Sequence, residues 1–229
     1  SRKAFYKCFY LENVDFFENS ELVSIEEESF YETSIKSIEI PSSTKIIQNK
    51  AFVFCKNLQK VSFKNNSELF YIGYCSFGST NIQKFVVPSS VKWLGKEIFS
   101  ECEDLEIEYE KNSQIVSVNQ YSINKKDESL YIGDNAKEFD TGIFFSDYIT
   151  NVSISPNNNN FKIINQKMVV GKSNLKDEVF DVLVFACHDI IEAVIPSYIK
   201  CIGKKCFAGC TKLKIIKFES NSELTKIDY

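Results

Sequence analysis

Apolar positions recur along the chain in one order and at a nearly constant interval. An aromatic anchor is followed by an apolar triplet of the form L-x-x-V-x-F, a polar turn, and an apolar pair of the form V-x-x-I. The first anchors lie 25 or 22 residues apart. Self-similarity at a fixed interval in this range is typical of a solenoid. The predicted anchors are Phe5, Phe30, Phe52, Phe77, Phe99, Phe144, Phe185 and Phe207, with Ile123 at the same position of a degenerate unit.

The spacing within a unit predicts short strands and turns. Two apolar residues separated by one other residue, such as Val61 and Phe63, lie on the same face of a strand. Equivalent strands stacked about 4.8 Å apart would form a parallel sheet, and each unit would complete its core against its neighbours. The short glycine-containing segments before the anchors, such as IGYCSF, predict a 3₁₀ or single helical turn. The predicted fold is therefore mainly β.

One segment interrupts the repeats. Pro156 and the asparagine run 157–160 end a unit, and residues 161–184 hold two β-rich runs around a polar turn at 171–177. This pattern predicts a β-hairpin insert at about 157–184. We interpret residues 1–229 as a single solenoid domain with this one insert, and as a segment of a longer protein.

Composition and charge narrow the partners that the chain is expected to bind. Hydrophobic residues make up 44% of the chain and charged residues 25%, which is typical of a folded soluble domain. The formal net charge of −4 does not favour nucleic acid or an anionic membrane. The longest apolar run, near residues 179–187, is too short to span a bilayer and contains Asp181. We therefore expect no nucleic-acid partner and no membrane insertion of this segment.

The eight cysteines are the first candidates for chemistry. Their main interpretation is structural, because free cysteine often behaves as a small buried hydrophobe. Four of them occupy one position of the repeat, three residues after an anchor: Cys8, Cys55, Cys102 and Cys210. A zinc site formed by Cys201, Cys206 and Cys210 with Cys187-His188 is the alternative, but it lacks a C-x₂-C knuckle. We expect free thiols, no metal and no cofactor.

The sequence offers little for catalysis. His188 is the single histidine, and its place between an anchor and a strand predicts a turn residue rather than part of a nucleophile pair. Residues 157–160 are expected to form a polar loop, since they lack the acidic spacing of a calcium loop. Asn65 and Asn151 begin glycosylation sequons, which are frequent by chance in an asparagine-rich chain. We predict no catalytic residues and no enzyme.

The outward strand positions remain as a binding surface. Most are polar, which is normal for a solvated face. A mixture of charged, aliphatic and aromatic side chains on neighbouring units favours a partner-binding patch, while the insert is the competing location. The predicted patch consists of Lys84, Val86, Glu106, Glu108 and Tyr131.

Several stretches resemble the BspA-like leucine-rich repeats, whose unit has the form A-F-x-x-C-x-x-L-x-x-I-x-I-P-x-S-V-x-x-I-G. The matching stretches are AFVFCKNLQKVSF, VPSSVKWLG and IPSYIKCIGKKCFAGCTKLKIIKF. The resemblance implies a right-handed leucine-rich-repeat solenoid, here of about nine units of 21–25 residues. It also implies surface or secreted proteins of oral bacteria and mucosal protist parasites that adhere to host proteins and cells, without catalysis.

These observations together predict a module displayed on the cell surface or secreted, which binds a host protein or a cell-surface glycan. The alternative is a structural spacer, a rod of repeats without its own ligand. Repeat arrays need polar capping units at their ends for solubility. Neither end of this sequence shows one, so end-to-end self-association is also expected.

Overall fold

The structure, a computed structural model, describes residues 1–103, 105–118, 120, 128–139 and 148–228, together with the backbone of 123–124. The chain divides into two compact units, Ser1–Ile115 and Val116–Tyr229. Both are β-solenoids made of short strands and turns, and the described residues contain no α-helix. The mainly-β solenoid is thus confirmed, and a single domain over 1–229 stays a prediction.

Short and long strands alternate along the first unit, and both kinds pair in parallel between neighbouring coils. The short strands form one sheet in the order β1, β3, β5 and β7. The long strands pair as β2 with β4 and β6 with β8. The short strands are β1 (Ser24–Ile25), β3 (Ile46–Ile47), β5 (Tyr71–Ile72) and β7 (Trp93–Leu94). The long strands are β2 (Ser37–Ile40), β4 (Lys60–Phe63), β6 (Lys84–Val87) and β8 (Glu106–Tyr109).

Alternate residues of the long strands face the core, as the spacing predicts. In β2, Ile38 and Ile40 are buried while Ser37 and Glu39 are exposed. The same alternation appears in β6, where Lys84 is exposed. Because the side chains of a strand point to opposite faces in turn, one row of side chains from each coil fills the core and the other is left to solvent. We call that outward side of β2, β4, β6 and β8 the long-strand face.

A third row of hydrogen bonds connects the segments that contain the anchors. The N–H of Phe30 donates to the carbonyl of Ala51 (2.9 Å), and the N–H of Phe52 donates to that of Ser76 (2.7 Å). Lys50 and Phe54, on either side of Phe52, have positive φ angles of 57° and 61°.

This row differs from the predicted 3₁₀ or helical turn. A helical turn would direct the N–H groups to carbonyls of the same coil. Here the reversals at positive φ let alternate N–H groups reach the next coil, as Lys50, Phe52 and Phe54 all do. Backbone hydrogen bonds therefore join neighbouring coils along three rows of the solenoid.

The anchors of the first unit stack in a ladder, as predicted. Successive ring centroids from Phe5 to Phe99 lie 5.1, 5.2, 5.1 and 5.8 Å apart. Phe30, Phe52 and Phe77 are buried, whereas Phe5 keeps 43% of its surface exposed. In the second unit Phe185 is buried and stacks on Phe139 at 6.2 Å, while Phe207 is half-buried. Phe144 and the side chain of Ile123 lie outside the described residues.

The second unit combines parallel pairs with an antiparallel insert. Parallel pairing joins β9 to β12, β11 to β13 and β17 to β19, while β10 is antiparallel to β11. These strands are β9 (Ser117–Val118), β10 (Ile123–Asn124), β11 (Ser129–Ile132), β12 (Glu138–Phe139), β13 (Asn151–Ile154), β17 (Glu192–Ile195) and β19 (Ile215–Phe218). A sheet of five strands has the order β14 (Phe161–Ile164), β15 (Met168–Gly171), β16 (Val182–Ala186), β18 (Cys201–Ile202) and β20 (Lys226–Ile227).

The insert has one strand more than the predicted hairpin. β14, β15 and β16 form an antiparallel meander. Asn165 and Gln166, both at positive φ, turn the chain between β14 and β15 and split the first β-rich run. β16 then pairs in parallel with β18, so the last strand of the insert joins a row of short strands. The buried Asp181 fixes the start of β16 by accepting hydrogen bonds from the N–H and Oγ of Ser173, both at 2.9 Å.

Truncation of a central anchor should be costly. Phe77 is fully buried between Phe52 and Phe99, so Phe77→Ala would leave a cavity between neighbouring coils. The free energy of unfolding, measured with denaturant, should fall by about 3–5 kcal/mol. Phe17→Ala is the matched control, since Phe17 is 90% exposed, and it should change stability by less than about 0.5 kcal/mol. Equal effects of the two substitutions would contradict the ladder.

Candidate interaction surface

Four residues of the predicted patch lie together on the long-strand face of the first unit. Lys84 is paired in register with Glu106, and Val86 with Glu108. Nζ of Lys84 donates to Oε1 of Glu108 at 2.8 Å, and both side chains are about half exposed. This hydrogen bond and the carboxylate charge raise the pKa of Lys84. The result is a firmly held array of both charge signs beside the half-buried Val86.

Tyr131, the fifth residue of the predicted patch, lies on β11 of the second unit. Its side chain is 54% exposed and points to the outward side, while its neighbours Leu130 and Ile132 are buried. The structure therefore confirms the outward orientation of Tyr131. The four residues of the first unit lie on the paired strands β6 and β8, and Tyr131 belongs to the second unit.

Ion pairs between neighbouring coils organise the outward surface, a feature that the sequence interpretation missed. Glu12 accepts from Lys36 at 2.6 Å on the first unit, and Glu192 accepts from Lys217 at 2.7 Å on the second. In each case the partners lie roughly one repeat apart in sequence. The two members of the second pair are offset by two residues, because Lys217 is in register with Val194 and not with Glu192. Opposite charges on the outward positions of neighbouring units were therefore the signal in the sequence, and not identical repeat positions.

The cysteines that follow the anchors are structural. Sγ of Cys55 donates to the carbonyl of Phe30 at 2.9 Å and lies 3.3 Å from Oγ1 of Thr33. Cys102 repeats this arrangement with Phe77 and Thr80. All eight cysteines are free, as predicted, although Cys8 is exposed rather than buried. Threonine and cysteine thus alternate at one position of the repeat, each bonded to the neighbouring coil.

Burial governs the ionisation of the cysteines near the end of the chain. Desolvation raises the pKa of both Cys187 and Cys210 to about 11 and that of Cys206 well above its usual range. These thiols therefore stay protonated at neutral pH. Among the described residues, no group of three or more His, Cys, Asp or Glu side chains is placed to hold a metal ion.

His188 occupies the position of Thr33 and Thr80 in the repeat and lies in a turn, as predicted, but its side chain is not exposed. It is buried, and its Nδ1 accepts a hydrogen bond from the N–H of Ile149 at 3.1 Å. The backbone N–H of His188 donates to the carbonyl of Ile149 at 2.7 Å. A buried imidazole that bonds the neighbouring coil has a structural role.

Gly209 makes room for that imidazole. It has a φ of +81°, and a Cβ there would lie 3.1 Å from Cε1 of His188. The equivalent residues after earlier anchors, Phe54 and Ser79, also have positive φ but carry side chains. Histidine at 188 is larger than the threonine at 33 and 80, and the absence of a side chain at 209 leaves space for its ring.

Asn158, in the asparagine run, forms hydrogen bonds to backbone groups of two coils. Nδ2 of Asn158 donates to the carbonyls of Gly133 (2.6 Å) and Ala136 (2.9 Å). Its Oδ1 accepts from the N–H groups of Asn160 (2.8 Å) and Phe161 (3.0 Å). The buried Asn158 thus joins two coils, and its amide oxygen is already engaged by the backbone.

A match to a family model identifies the repeats. The model of the BspA type leucine-rich repeat region matches six copies, over residues 1–106, 71–184 and 179–229. The chain belongs to the BspA type leucine-rich repeat family. No curated protein matches the chain. Within the described residues, no helix has the length and apolar character required to cross a membrane.

Solved structures of other leucine-rich-repeat proteins share the fold. The pneumococcal vaccine antigen PcpA has a TM-score of 0.61 and 20% identity, over 90% of this chain and 52% of that one. A leucine rich cell surface protein of Faecalibacterium prausnitzii has a TM-score of 0.57 and 15% identity, over 90% of this chain and 60% of that one. At these identities the likeness concerns the fold alone. The chain spans between half and about three fifths of these two proteins.

Alkylation of Cys210 should depend steeply on pH. Only the thiolate reacts, and the thiol has a pKa of about 11 in the folded protein. Its labelling rate, followed by peptide mass spectrometry, should rise about tenfold per pH unit between about pH 8 and about pH 10. In the denatured protein all eight cysteines should react. Fewer than eight titratable thiols, or a rate at Cys210 that does not vary with pH, would contradict this assignment.

Substitutions at 188 and 209 should be coupled. Gly209→Ala forces a Cβ against His188 at a positive φ, and we expect a loss of about 1–3 kcal/mol. In a His188→Thr background, which restores the residue found at 33 and 80, the same change should cost less by at least about 0.5 kcal/mol. A double-mutant cycle in denaturant measures this coupling. Additive costs would mean that backbone strain alone, and not contact with the ring, requires glycine.

Proposed function

We propose that this chain is a surface-displayed leucine-rich-repeat module that binds a host protein or a cell-surface glycan in adhesion. The observation that carries the proposal is the array on β6 and β8, where Lys84, Val86, Glu106 and Glu108 project from paired strands. The repeat scaffold itself holds the core, and function resides in what its surface displays. We propose no catalytic role.

The physical case rests on rigidity. Side chains held on hydrogen-bonded strands lose little conformational entropy when a partner binds. The ion pair between Lys84 and Glu108 limits their motion further, so the charges are presented in a fixed pattern. Charges of both signs in a fixed pattern favour a particular orientation of the partner. On the second unit, Tyr131 presents a half-exposed aromatic ring, the type of residue that often dominates binding energy.

The two solved structures support display at a surface. One is a pneumococcal vaccine antigen and the other is a leucine rich cell surface protein. A cell-surface or secreted location is therefore part of the proposal. This part of the proposal rests on the fold that the chain shares with these two proteins.

A structural spacer is the second candidate. The observation in its favour is that Lys84, Lys36 and Lys217 bond carboxylates of the neighbouring coils. A surface whose charged side chains are paired with one another does not require a ligand, which is what a structural spacer needs. The two candidates differ in one measurable respect, because a spacer has no saturable partner.

The insert is the competing location for a partner. Its loop exposes Leu175 (48%) and Val179 (53%), and Lys162 lies 4.1 Å above the ring of Phe180. An exposed apolar loop on an ordered base can also form a contact surface. The loop therefore has to be tested against the strand face.

Charge reversal on the strand face should weaken binding and leave the fold intact. In the variant Glu106→Lys, Glu108→Lys and Tyr131→Ala, every altered side chain is exposed in the native protein. The melting temperature should fall by no more than a few degrees. Binding to host cells or matrix protein, measured by surface plasmon resonance or cell adhesion, should decrease at least tenfold.

Loop replacement provides the control. Residues 174–179 would be exchanged for a short Gly-Ser linker, which keeps Ser173 and Asp181 and hence the base of the insert. Binding should survive this change. Loss of binding here and its survival in the triple variant would move the site to the insert. If the unaltered chain shows no saturable binding, the spacer is correct.

A further inference from the structure

Charged residues are segregated along the first unit to a degree that the net charge conceals. Residues 40–96 contain eight lysines and a single acidic residue, Glu68. The next stretch, 97–110, contains seven acidic residues and no basic one. Since neighbouring coils follow one another in sequence, this pattern produces a basic band beside an acidic one. The basic band provides a local positive potential despite the overall charge of −4.

Most of the lysines in the band are available to a ligand. Lys45 lies 3.4 Å from a carboxylate oxygen of Glu68, and Lys84 is bonded to Glu108. Five others form no ion pair within the part of the chain that the structure describes. These five are Lys50, Lys56, Lys60, Lys64 and Lys92.

Lysines and aromatic rings meet on the outward side of β3, β5 and β7. The N–H of Phe70 donates to the carbonyl of Lys45, and the N–H of Lys92 donates to that of Phe70, both at 3.0 Å. These three residues therefore lie in one row across successive coils. The two lysines are two strand spacings apart, about 9–10 Å along the backbone, with the ring of Phe70 between them.

The next residues form a second row beside the first. Tyr71 is paired in register with Trp93, and Trp93 is 44% exposed. The ring of Trp93 is edge-on to that of Phe70, with centroids 6.3 Å apart. We call the surface formed by Lys45, Phe70, Tyr71, Lys92 and Trp93 the aromatic–lysine face. It differs from the long-strand face, because its strands belong to the other row of the solenoid.

We propose that the aromatic–lysine face binds a linear anionic polysaccharide, one that carries sulfate or carboxylate groups. The ammonium group of Lys92 pairs with its anionic groups, and that of Lys45 exchanges its exposed partner, the carboxylate of Glu68, for one of them. The exposed face of Trp93 packs against the apolar C–H surface of a sugar ring, as an aromatic side chain packs on any flat apolar surface. This site is independent of the partner proposed for the long-strand face.

The size of the basic band favours a polysaccharide over nucleic acid. The aromatic–lysine face places its two lysines on a row of three short strands, about 9–10 Å from end to end. Double-stranded DNA binding requires phosphate contacts over a larger basic surface. A single polysaccharide chain is narrow enough to place a few anionic groups over the lysines and stay within the band.

Binding of a sulfated oligosaccharide of the heparin type to the full chain tests the proposal by calorimetry. The substitutions Lys45→Gln with Lys92→Gln should weaken binding at least tenfold and reduce the slope of log affinity against log salt by about two. Trp93→Ala should weaken it about fivefold or more, as expected for loss of a stacked ring. Lys56→Gln with Lys60→Gln is the matched control. It removes the same charge from the same band on another side of the coils, and affinity should change less than about twofold.

Four outcomes would overturn the proposal. The first is that the sulfated oligosaccharide does not bind, and the second is that the two double lysine variants lose the same affinity for it. The third is that an uncharged oligosaccharide binds as tightly as the sulfated one. The fourth is that oligothymidylate binds as tightly as the sulfated oligosaccharide or more tightly. Circular dichroism and the melting temperature establish that each variant is folded. The long-strand variant with Glu106, Glu108 and Tyr131 changed should keep its affinity for the sulfated oligosaccharide. That result separates the two sites, so failure of one proposal leaves the other standing.

Discussion

Each coil of this protein depends on its neighbours for both its hydrogen bonds and its core. The N–H of Phe52 reaches the carbonyl of Ser76 in the next coil, and the ring of Phe52 stacks on that of Phe77 at 5.1 Å. A single coil has neither partner and could not bury its apolar side chains alone. The fixed interval between anchors is the consequence of this constraint, because rings can stack only if every coil returns to the same position.

The features that the sequence predicts correctly are those fixed by the need of each coil to stack on its neighbours. The anchors, the inward strand residues and the outward position of Lys84 follow from the spacing of apolar residues. The form of the anchor segment could not be read in this way. Its positive φ angles fall on residues such as Lys50 and Phe54, which have no preference for that conformation. The demand for hydrogen bonds to the next coil overrides local propensity there.

Two features of the second unit cannot be predicted from the repeat period: the turn within the insert and the burial of His188. The first β-rich run of the insert divides at Asn165 and Gln166 into two strands. The polar residues 165–167 that interrupt the run were the signal for this turn, and the repeat period carries no information on it. His188 lies in a turn, as its position between an anchor and a strand predicts, but that position gives no sign that the side chain is buried. Its ring lies where a Cβ at residue 209, one coil later, would come within 3.1 Å. Only the comparison of equivalent positions in neighbouring coils reveals such a pair.

The outward positions are free of the constraint that fixes the core, and this freedom explains why binding surfaces are hard to predict in such a fold. The long-strand face and the aromatic–lysine face stand on the same ladder of coils, yet the first displays a bonded Lys84 and Glu108 and the second the exposed ring of Trp93 beside Lys92. The scaffold accepts both, since neither set of side chains supports the core. Chemistry on a repeat surface must therefore be sought in rows that run across the coils, where residues roughly one repeat apart in sequence become neighbours.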